Sequence, residues 1–382
     1  MRHAAVMLAA ATLWAWSSAA PSAQGPAVGN TLDIYFIDTE GGQATLYVAP
    51  SGRAMLVDTG NAGPRDLDRV LEVLTTAGMT QIDHLFLTHY HGDHYGNVIE
   101  LSTRLRVGHL YDHGASIEGD RPAVSAFEAR YAELARTIPR TIVKPGDRIS
   151  VDGVEATVVV SHDKALTSPL ANAPGAGTPN GACAAHRTRD ESKVDPDNHY
   201  SAGFVMAYGR FRTINLGDLT WSREFALMCP SNLVGTVDLY LTTHHGLDQS
   251  GSPAFVHAIR PRVAVMNNGT RKGGAAQSFQ TLETSPGLED VWQLHWAYAG
   301  GIEHNASGVR IANIDEPAQL AAVVGTAPPG PSAAPTAFPE GPGGNASHVP
   351  AHYLKVSAQA DGSFTITNSR NGYTKSYAAT LQ

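Results

Sequence analysis

The sequence predicts a mixed α/β fold, and three observations lead to that prediction. Apolar runs of strand length flank a segment with the helical spacing of apolar residues, in the order strand, helix, strand, over residues 54–87. A histidine-rich turn follows the last of these strands, at residues 88–94. Later apolar strands also end in acidic or histidine residues. The residues able to bind metals or act in catalysis therefore lie where strands end.

Length and composition describe a globular chain with room for a large core. It has 382 residues, of which 42% are hydrophobic and 16% charged, which suits one large domain or two ordinary ones. The formal net charge of −8 disfavours a protein that grips long nucleic acid, because it offers no basic stripe. We therefore expect a small-molecule or oligonucleotide-like substrate and no stable nucleic-acid partner. Oligomeric state leaves no pattern in the sequence.

The N-terminus is typical of a signal peptide. Arg2 and His3 precede an apolar run at 4–16, and small residues at 18–23 suit cleavage after Ala23. The run is short for a membrane span, although an uncleaved anchor is the alternative. Further along the chain, no stretch approaches about twenty uninterrupted apolar residues. We therefore predict a periplasmic or secreted protein with no membrane span after removal of residues 1–23.

The two cysteines, Cys183 and Cys229, remain in the mature chain. An even pair in an oxidising compartment favours one disulfide. A cysteine metal ligand and two free thiols are the alternatives.

The elements of the first half follow from apolar spacing. The helix expected at 66–77 carries Leu67, Val70, Leu71 and Leu74 on one face and stops at Gly78. A further short helix is expected from Gly96. The other predicted elements are strands at 31–38, 43–48, 54–58, 82–87 and 153–161 and a helix at 123–137.

The second half predicts a long loop, more strands and a C-terminal extension. Residues 162–198 are rich in Pro, Gly, Asn, Asp and Ala and lack periodicity, as a functional lid or insert would. The later predicted elements are strands at 202–208, 212–216, 237–243 and 262–266 and a helix at 288–296. The predicted domains are a main domain at 24–316, a Pro/Ala/Gly-rich linker at 317–348, and a docked β-hairpin at 349–382, with strands at 353–358 and 363–367.

The turn at 88–94 predicts a metal site. His89, His91, Asp93 and His94 have the spacing His-x-His-x-Asp-His. Neutral imidazoles and a carboxylate suit zinc and manganese. A strand that ends abruptly in such a turn can aim the first histidine pair at one ion and the Asp-His pair at a second. Seventeen histidines make a chance cluster conceivable, but four ligand residues within six positions argue against it.

Four ligands cannot saturate two ions, so later strand ends must supply more. Asp218 ends an apolar strand and can bridge two cations, or alternatively cap the following segment. His244 follows another strand, and the adjacent His245 is a candidate proton donor or substrate contact. His199 precedes a strand and is expected to complete the first metal, with His162 as its competitor.

These residues carry a resemblance to a known family. The motifs are Leu56-Val57-Asp58-Thr59-Gly60, His89–His94, Asn198-x-x-Ser201, Gly217-Asp218 and His244-His245-Gly246. Over about residues 31–315 the chain resembles the metallo-β-lactamase-fold hydrolases, most of all the hydrolase domain of the ComEC/Rec2 competence proteins. The resemblance implies a four-layer αββα sandwich with the site along one edge.

The same resemblance implies a role for each site residue. His89 and His91 would hold the first metal, and Asp93 and His94 the second. Asp218 would bridge the two, and His244 would complete the second. Asp58, together with Thr88, would orient the ligands from behind. The chain departs from the family at Asn198-His199, which leaves His199, Asn198 and His162 as alternatives for the third ligand of the first metal.

The predicted function is a secreted binuclear metal-dependent hydrolase. Two divalent ions about 3.5–4 Å apart can hold a hydroxide that attacks a phosphodiester. We expect zinc, with manganese as the alternative. Asp93 would orient or deprotonate the water, while His245, Tyr95 or Asn268 would stabilise developing charge and Lys272 could pair with an anionic substrate. The alternative functions are hydrolysis of a cyclic amide or ester, such as a β-lactam or lactone, and a non-catalytic metal-binding interaction protein.

Overall fold

The computed structural model describes Met1, residues 29–314 and residues 351–380. Apart from Met1, the predicted signal peptide lies outside these residues, as does the predicted linker. The strands are β1 (Thr31–Phe36), β2 (Thr45–Val48), β3 (Ala54–Val57), β4 (Gln81–Phe86), β5 (Arg106–Asp112), β6 (Arg140–Ile142), β7 (Arg148–Val151), β8 (Val154–Ser161), β9 (Lys164–Ala165), β10 (Gly203–Tyr208), β11 (Phe211–Asn215), β12 (Leu239–Leu241), β13 (Val263–Met266), β14 (Asp290–His295), β15 (Ile311–Asn313), β16 (Leu354–Gln359), β17 (Phe364–Asn368) and β18 (Thr374–Tyr377). The α-helices are α1 (Pro64–Thr76), α2 (Gly92–Tyr95), α3 (Val98–Arg104), α4 (Pro122–Leu134), α5 (Trp221–Met228), α6 (Pro253–Ile259), α7 (Ala276–Glu283) and α8 (Gly301–His304).

Two mixed sheets form the centre of the molecule. The first has the order β18-β17-β16-β1-β2-β3-β4-β5-β6, and the second β15-β14-β13-β12-β11-β10-β8-β7, with β9 beside β8. In the first sheet β3, β4, β5 and β6 run parallel. In the second, β11 to β15 run parallel.

The buried residues divide into layers that match the predicted sandwich. One cluster takes Phe86 from the first sheet and Phe204 and Trp292 from the second, so it fills the space between the sheets. A second cluster joins the first sheet to α1, α3 and α4. A third joins the second sheet to α5, α6 and α7. Helices therefore cover both outer faces, and the predicted four-layer arrangement of two packed sheets and helices is confirmed.

Helix α1 illustrates how the sequence forms these layers. Pro64 occupies the start of the helix, where a missing N–H costs nothing. Leu67, Val70 and Leu74 recur at helical spacing and are buried against the first sheet. Gly78 follows the helix with φ of 73°, a left-handed conformation that favours glycine.

One predicted element is wrong. Residues 288–296 do not form a helix, because β14 (Asp290–His295) is a strand between β13 and β15. Both faces of this strand are covered, since Trp292, Gln293 and Leu294 are all buried. A strand buried on both sides shows no alternation of polar and apolar residues, which removes the signal that separates it from a helix.

The loop predicted at 162–198 contains little regular structure. Besides β9 it has two short 3₁₀ turns, Gly181–Ala185 and Pro196–Tyr200. Cys183 and Cys229 form a disulfide, as the sequence predicts. The bridge fastens the loop to the end of α5.

The C-terminal segment extends the first sheet. Strands β16 and β17 lie at the positions expected for the hairpin, and β18 is a third strand that the sequence analysis did not identify. Strand β16 pairs antiparallel with β1, with Thr31 opposite Gln359 and Phe36 opposite Leu354. Within the described ranges, no helix combines the length and apolar character needed to cross a membrane.

Candidate metal centre

Three other loops donate backbone hydrogen bonds to the histidine-rich turn. It follows β4 and leads into the short helix α2. The backbone N–H of Thr59, after β3, donates to the carbonyl of His94 at 2.7 Å. Gln43 N, before β2, donates to the carbonyl of Asp93 at 3.0 Å, and Ala202 N, before β10, donates to that of Thr88 at 2.7 Å. Both sheets therefore fix the turn.

Four side chains converge at this turn. Ligand atoms of Asp93, His94, Asp218 and His245 all lie within 4.8 Å of one another. Asp93 Oδ2 is 3.5 Å from His94 Nε2 and 3.4 Å from His245 Nε2. Asp218 Oδ2 is 3.3 Å from His94 Nε2 and 3.4 Å from His245 Nε2, and the two Nε2 atoms are 3.3 Å apart. Two ligands about 2.0–2.2 Å from a tetrahedral ion lie about 3.3–3.6 Å apart, so these spacings fit one divalent ion.

A second pair of nitrogen atoms faces inward beside this group. His89 Nε2 lies 2.9 Å from His91 Nδ1. Thr88 Oγ1, which donates to Asp58, is 3.1 Å from His89 Nδ1 and can accept its proton. His91 Nε2 faces Glu118 Oε2 at 3.4 Å, which favours a proton on that nitrogen. The remaining lone pairs then point at each other, an arrangement that a cation stabilises.

Asp218 lies between the two sets. Its Oδ2 is also 3.9 Å from His89 Nε2 and 3.4 Å from His244 Nε2. Burial alone would raise the pKa of this carboxyl, but the surrounding imidazoles, His245 and His94 foremost, hold it well below its usual range. The preceding Gly217 has φ of 56°, and a Cβ there would lie 2.6 Å from Thr88 Cβ. Glycine thus permits the two strand ends to approach.

Comparison with known protein families identifies the superfamily of this chain. The model of the metallo-β-lactamase superfamily matches residues 38–266, a span that contains every member of the centre. The chain belongs to this superfamily.

The curated relatives of this chain are similar to it only over short stretches of sequence. A metal-dependent hydrolase of Staphylococcus saprophyticus is 42% identical over 66 residues, which cover 16% of this chain and 25% of the relative. A lactamase-like protein of an Aspergillus strain is 40% identical over 60 residues, 16% of this chain and 18% of the relative. The chain thus spans a quarter or less of the length of these curated relatives. Among solved structures, the metallo-β-lactamase fold protein YhfI of Bacillus subtilis has a TM-score of 0.44 at 12% identity, covering 69% of this chain and 96% of that one.

His244 and His245, called here the histidine doublet, both reach the candidate metal centre. His244 and His245 each have φ of 55°, so the turn is left-handed at two successive non-glycine residues. It is His245 that belongs to the four-residue group, the position that the resemblance gave to His244. His244 Nδ1 lies 3.4 Å from Ser250 Oγ while its Nε2 faces Asp218. Burial lowers the pKa of His244 to about 4, so its imidazole is neutral at pH 7.

Asp58 and Thr88 support the ligands from behind. Asp58 Oδ2 accepts from His94 Nδ1 at 2.8 Å and from Thr88 Oγ1 at 2.7 Å, which leaves His94 Nε2 directed at the group. Burial would lower the pKa of His94, but Asp218, Asp93 and Asp58 raise it well above its usual range.

The candidates for the third ligand of the first metal are dispersed. His199 Nδ1 lies 2.7 Å from Thr220 Oγ1, which directs it to the start of α5. The His162 ring packs against Tyr200, with ring centroids 4.9 Å apart. Asn198 is 3% exposed, and its Oδ1 has no hydrogen-bond partner among the described residues.

Two other predicted contacts are engaged elsewhere. The Tyr95 ring stacks on Phe127, with centroids 4.0 Å apart. Asn268 Nδ2 donates to the carbonyl of His295 at 2.8 Å.

Sequence reasoning missed Glu118. This residue, in the loop between β5 and α4, is 3% exposed and faces His91. Arg121 Nη1 lies 2.9 Å from the same carboxylate oxygen. Burial alone would lower the pKa of His91, but the nearby carboxylates of Glu118 and Asp93 raise it. No motif marks Glu118, since it lies 27 residues from His91 and meets it only in the fold.

Proposed function

We propose that this superfamily member is a binuclear metal-dependent hydrolase whose substrate is a phosphodiester. The observation that carries the proposal is the shared Asp218 carboxylate, which faces ligand nitrogens of both predicted metal sites. The hydrolase relatives and the superfamily membership support this class of reaction.

The residues present fit two divalent ions. His89 Nε2 and His91 Nδ1 would hold the first ion together with Asp218. Asp93, His94, Asp218 and His245 would hold the second, and we infer that His245 rather than His244 completes it, because His245 belongs to the tetrahedral set. We infer that Asn198 Oδ1, a buried acceptor without a hydrogen-bond partner in the described part of the chain, is the best candidate to complete the first. Zinc is our first expectation, and manganese suits the oxygen ligands.

The chain's own residues prepare the reaction. When bound, two ions supply a nucleophile near neutral pH and polarise the bond under attack. Asp58 and Thr88 fix the ring nitrogens that carry protons, so that His89 and His94 present lone pairs. Asp93 is 17% exposed, and His94 and Lys272 hold its pKa well below the usual range despite burial, so its charged carboxylate can orient a water at the solvent side.

The phosphodiester is favoured for a chemical reason. A pair of ions that shares one carboxylate can stabilise both the attacking and the leaving oxygen of an in-line displacement at phosphorus. The motif resemblance to the competence-protein hydrolase domain supports the same substrate class. The disulfide supports an oxidising, secreted or periplasmic location, which also accords with the signal-like N-terminus.

The test is hydrolysis of bis(p-nitrophenyl) phosphate by mature protein from Gln24, loaded with zinc or manganese. We expect turnover that a chelator abolishes and that Asp218→Asn reduces at least about hundredfold. Absence of turnover in protein that holds two ions per chain would contradict the phosphodiesterase. A lactone or β-lactam substrate would then be tried in the same samples.

A further inference from the structure

A tight turn brings Lys272 to the metal centre. Gly269 N donates to the carbonyl of Lys272 at 2.8 Å and closes the turn after β13. The turn packs on the loop between β1 and β2 so closely that a Cβ on Gly41 would lie 2.9 Å from Lys272 Cβ. Gly41 has φ of 85°, so glycine is required there for both reasons.

The same turn is fastened to the histidine doublet. Gly274 N donates to the carbonyl of His245 at 3.1 Å, and Ala275 N to that of Gly246 at 2.9 Å. A Cβ on Gly273 would lie 2.1 Å from His245 O. The backbone of Lys272 is thus held by two of the loops that build the centre.

The side chain of Lys272 lies on the solvent side of that centre. Its ammonium contacts Asp93 Oδ2, and its side chain is 40% exposed. Asp93 and His91 are 17% and 15% exposed, whereas the side chains of His94 and His245 are fully buried. Among these side chains the exposed ones thus lie on the face that Lys272 shares with Asp93 and His91, which is open to a substrate.

The neighbouring cation points elsewhere. The guanidinium of Arg271 lies over the Tyr298 ring, 5.2 Å from its centroid. The two adjacent positive charges are thus separated by the turn, and Arg271 provides a matched control for Lys272.

We propose that Lys272 binds an anionic oxygen of the substrate and so selects phosphoryl substrates over neutral esters and lactones. This inference rests on the proposed hydrolase and names the feature of the substrate that its site recognises. The lysine stem is long and flexible, so the ammonium can swing from Asp93 to an oxyanion that enters beside it. A phosphodiester carries such a charge at neutral pH, whereas a lactone carbonyl does not.

The first experiment measures binding of inorganic phosphate to metal-loaded mature protein by calorimetry. We expect Lys272→Met to weaken binding about tenfold, Lys272→Arg to retain most of it, and Arg271→Met to leave it unchanged. Metal content is measured on each sample. Unchanged binding in Lys272→Met, an equal loss in Arg271→Met, or a loss that follows from missing metal would each overturn the proposal. Acetate serves as the second probe, and a Lys272-dependent preference for acetate over phosphate would overturn the assignment to phosphoryl groups.

The second experiment compares an anionic and a neutral substrate. Lys272→Met should lower kcat/KM for bis(p-nitrophenyl) phosphate about tenfold and leave that for p-nitrophenyl acetate unchanged. Equal losses on both substrates would contradict charge selection. If wild type binds phosphate through Lys272 yet does not hydrolyse the diester, the proposed function fails while the anion site stands.

Discussion

Two successive histidines reach one carboxylate oxygen from a single turn. His244 Nε2 and His245 Nε2 each lie 3.4 Å from Asp218 Oδ2, yet only His245 is also 3.4 Å from Asp93. We predict that His245→Ala loses about one metal ion per chain, because it removes one of the four ligands proposed for the second ion. His244→Ala should keep the ion of that site. Metal analysis after dialysis measures both, and retention of two ions by His245→Ala alone would reverse the roles.

Glu118 should set the affinity of the first metal through His91. Glu118→Ala leaves His91 Nε2 without its carboxylate, so the ring is oriented less firmly and is less basic. We predict metal affinity lower by about 10–100-fold, measured by competition with a chromophoric chelator. Glu118→Asp should recover part of the affinity.

The matched control for this prediction is Glu133→Ala. Glu133 lies in α4, where it pairs with Arg136 at the surface at 3.3 Å. Its removal takes away the same charge without touching the centre. An equal drop in metal affinity would show that net charge, and not the contact with His91, is responsible.

At this scale the sequence predicts ligands that lie in a compact motif or at the end of an apolar strand, and misses a partner in a loop without such a signal. The spacing of His89 to His94 encodes a turn, so its ligand character can be read directly. Glu118 approaches that turn from another loop, and no local pattern records this. For Lys272 the sequence suggests an anionic partner, but not the contact with Asp93. The sequence also does not show which of His244 and His245 joins the four-residue group. That depends on the left-handed backbone of both residues, for which the sequence has no signal.

Helix α5 is joined to the loop that follows the doublet through a buried carboxylate. Glu224 Oε1 accepts from Gly251 N at 2.7 Å, and Oε2 accepts from Ser252 N at 2.8 Å. Burial raises the pKa of Glu224 from 4.5 to about 8, against the effect of these hydrogen bonds. The folded protein therefore holds this proton over a range of pH in which the unfolded chain has released it.

The consequence is a defined dependence of stability on pH. Between about pH 4.5 and 8 the folded state binds more protons than the unfolded state, so the free energy of unfolding falls as pH rises. We predict that Glu224→Gln removes this contribution, so the variant loses less stability than wild type from pH 5 to 8. Urea unfolding at several pH values measures the two slopes. Parallel slopes would mean that Glu224 stays ionised in the folded protein.

Periodic segments and short, wholly apolar runs, including the fully buried strands β3 and β13, were predictable from the local sequence, and strand β14 was not. Helix α1 and strand β4 show the expected periods, and their bounds differ from the prediction by two residues or fewer. In strand β14, which the sequence predicts as a helix, the polar Gln293 and His295 are buried as completely as Trp292. Such a strand is buried by its neighbouring strands and by the layers on both faces of the sheet. A short segment of sequence contains no record of these contacts.

Over the whole molecule, the C-terminal strands complete the core. Ile366 in β17 is fully buried in the cluster between the sheets. Trp292 Nε1 donates to Tyr377 Oη at 2.9 Å, and Tyr377 Oη donates to Asp290 Oδ2 at 2.7 Å, so β18 is bonded to the second sheet. The C-terminal segment thus belongs to the body of the fold.

We predict that Ile366→Ala destabilises the whole protein by about 2–5 kcal/mol, because it leaves a cavity in the shared core. Thr365→Ala, on the opposite face of β17, should cost about 1 kcal/mol or less. Chemical denaturation compares them. A partial transition confined to the C-terminal strands in Ile366→Ala would mean that this segment unfolds as a separate unit.

The pairing of β1 with β16 also fixes an order of events during synthesis. Strand β1 is made before the other strands, but the neighbour that covers its outer edge, from Thr31 opposite Gln359 to Phe36 opposite Leu354, is made only after β2 to β15. Until then an apolar edge with unpaired backbone groups stays open, which invites association with other chains. The first sheet can close at this edge only after β16 has been made, so until then a nascent chain of this protein is open to association with its neighbours at β1.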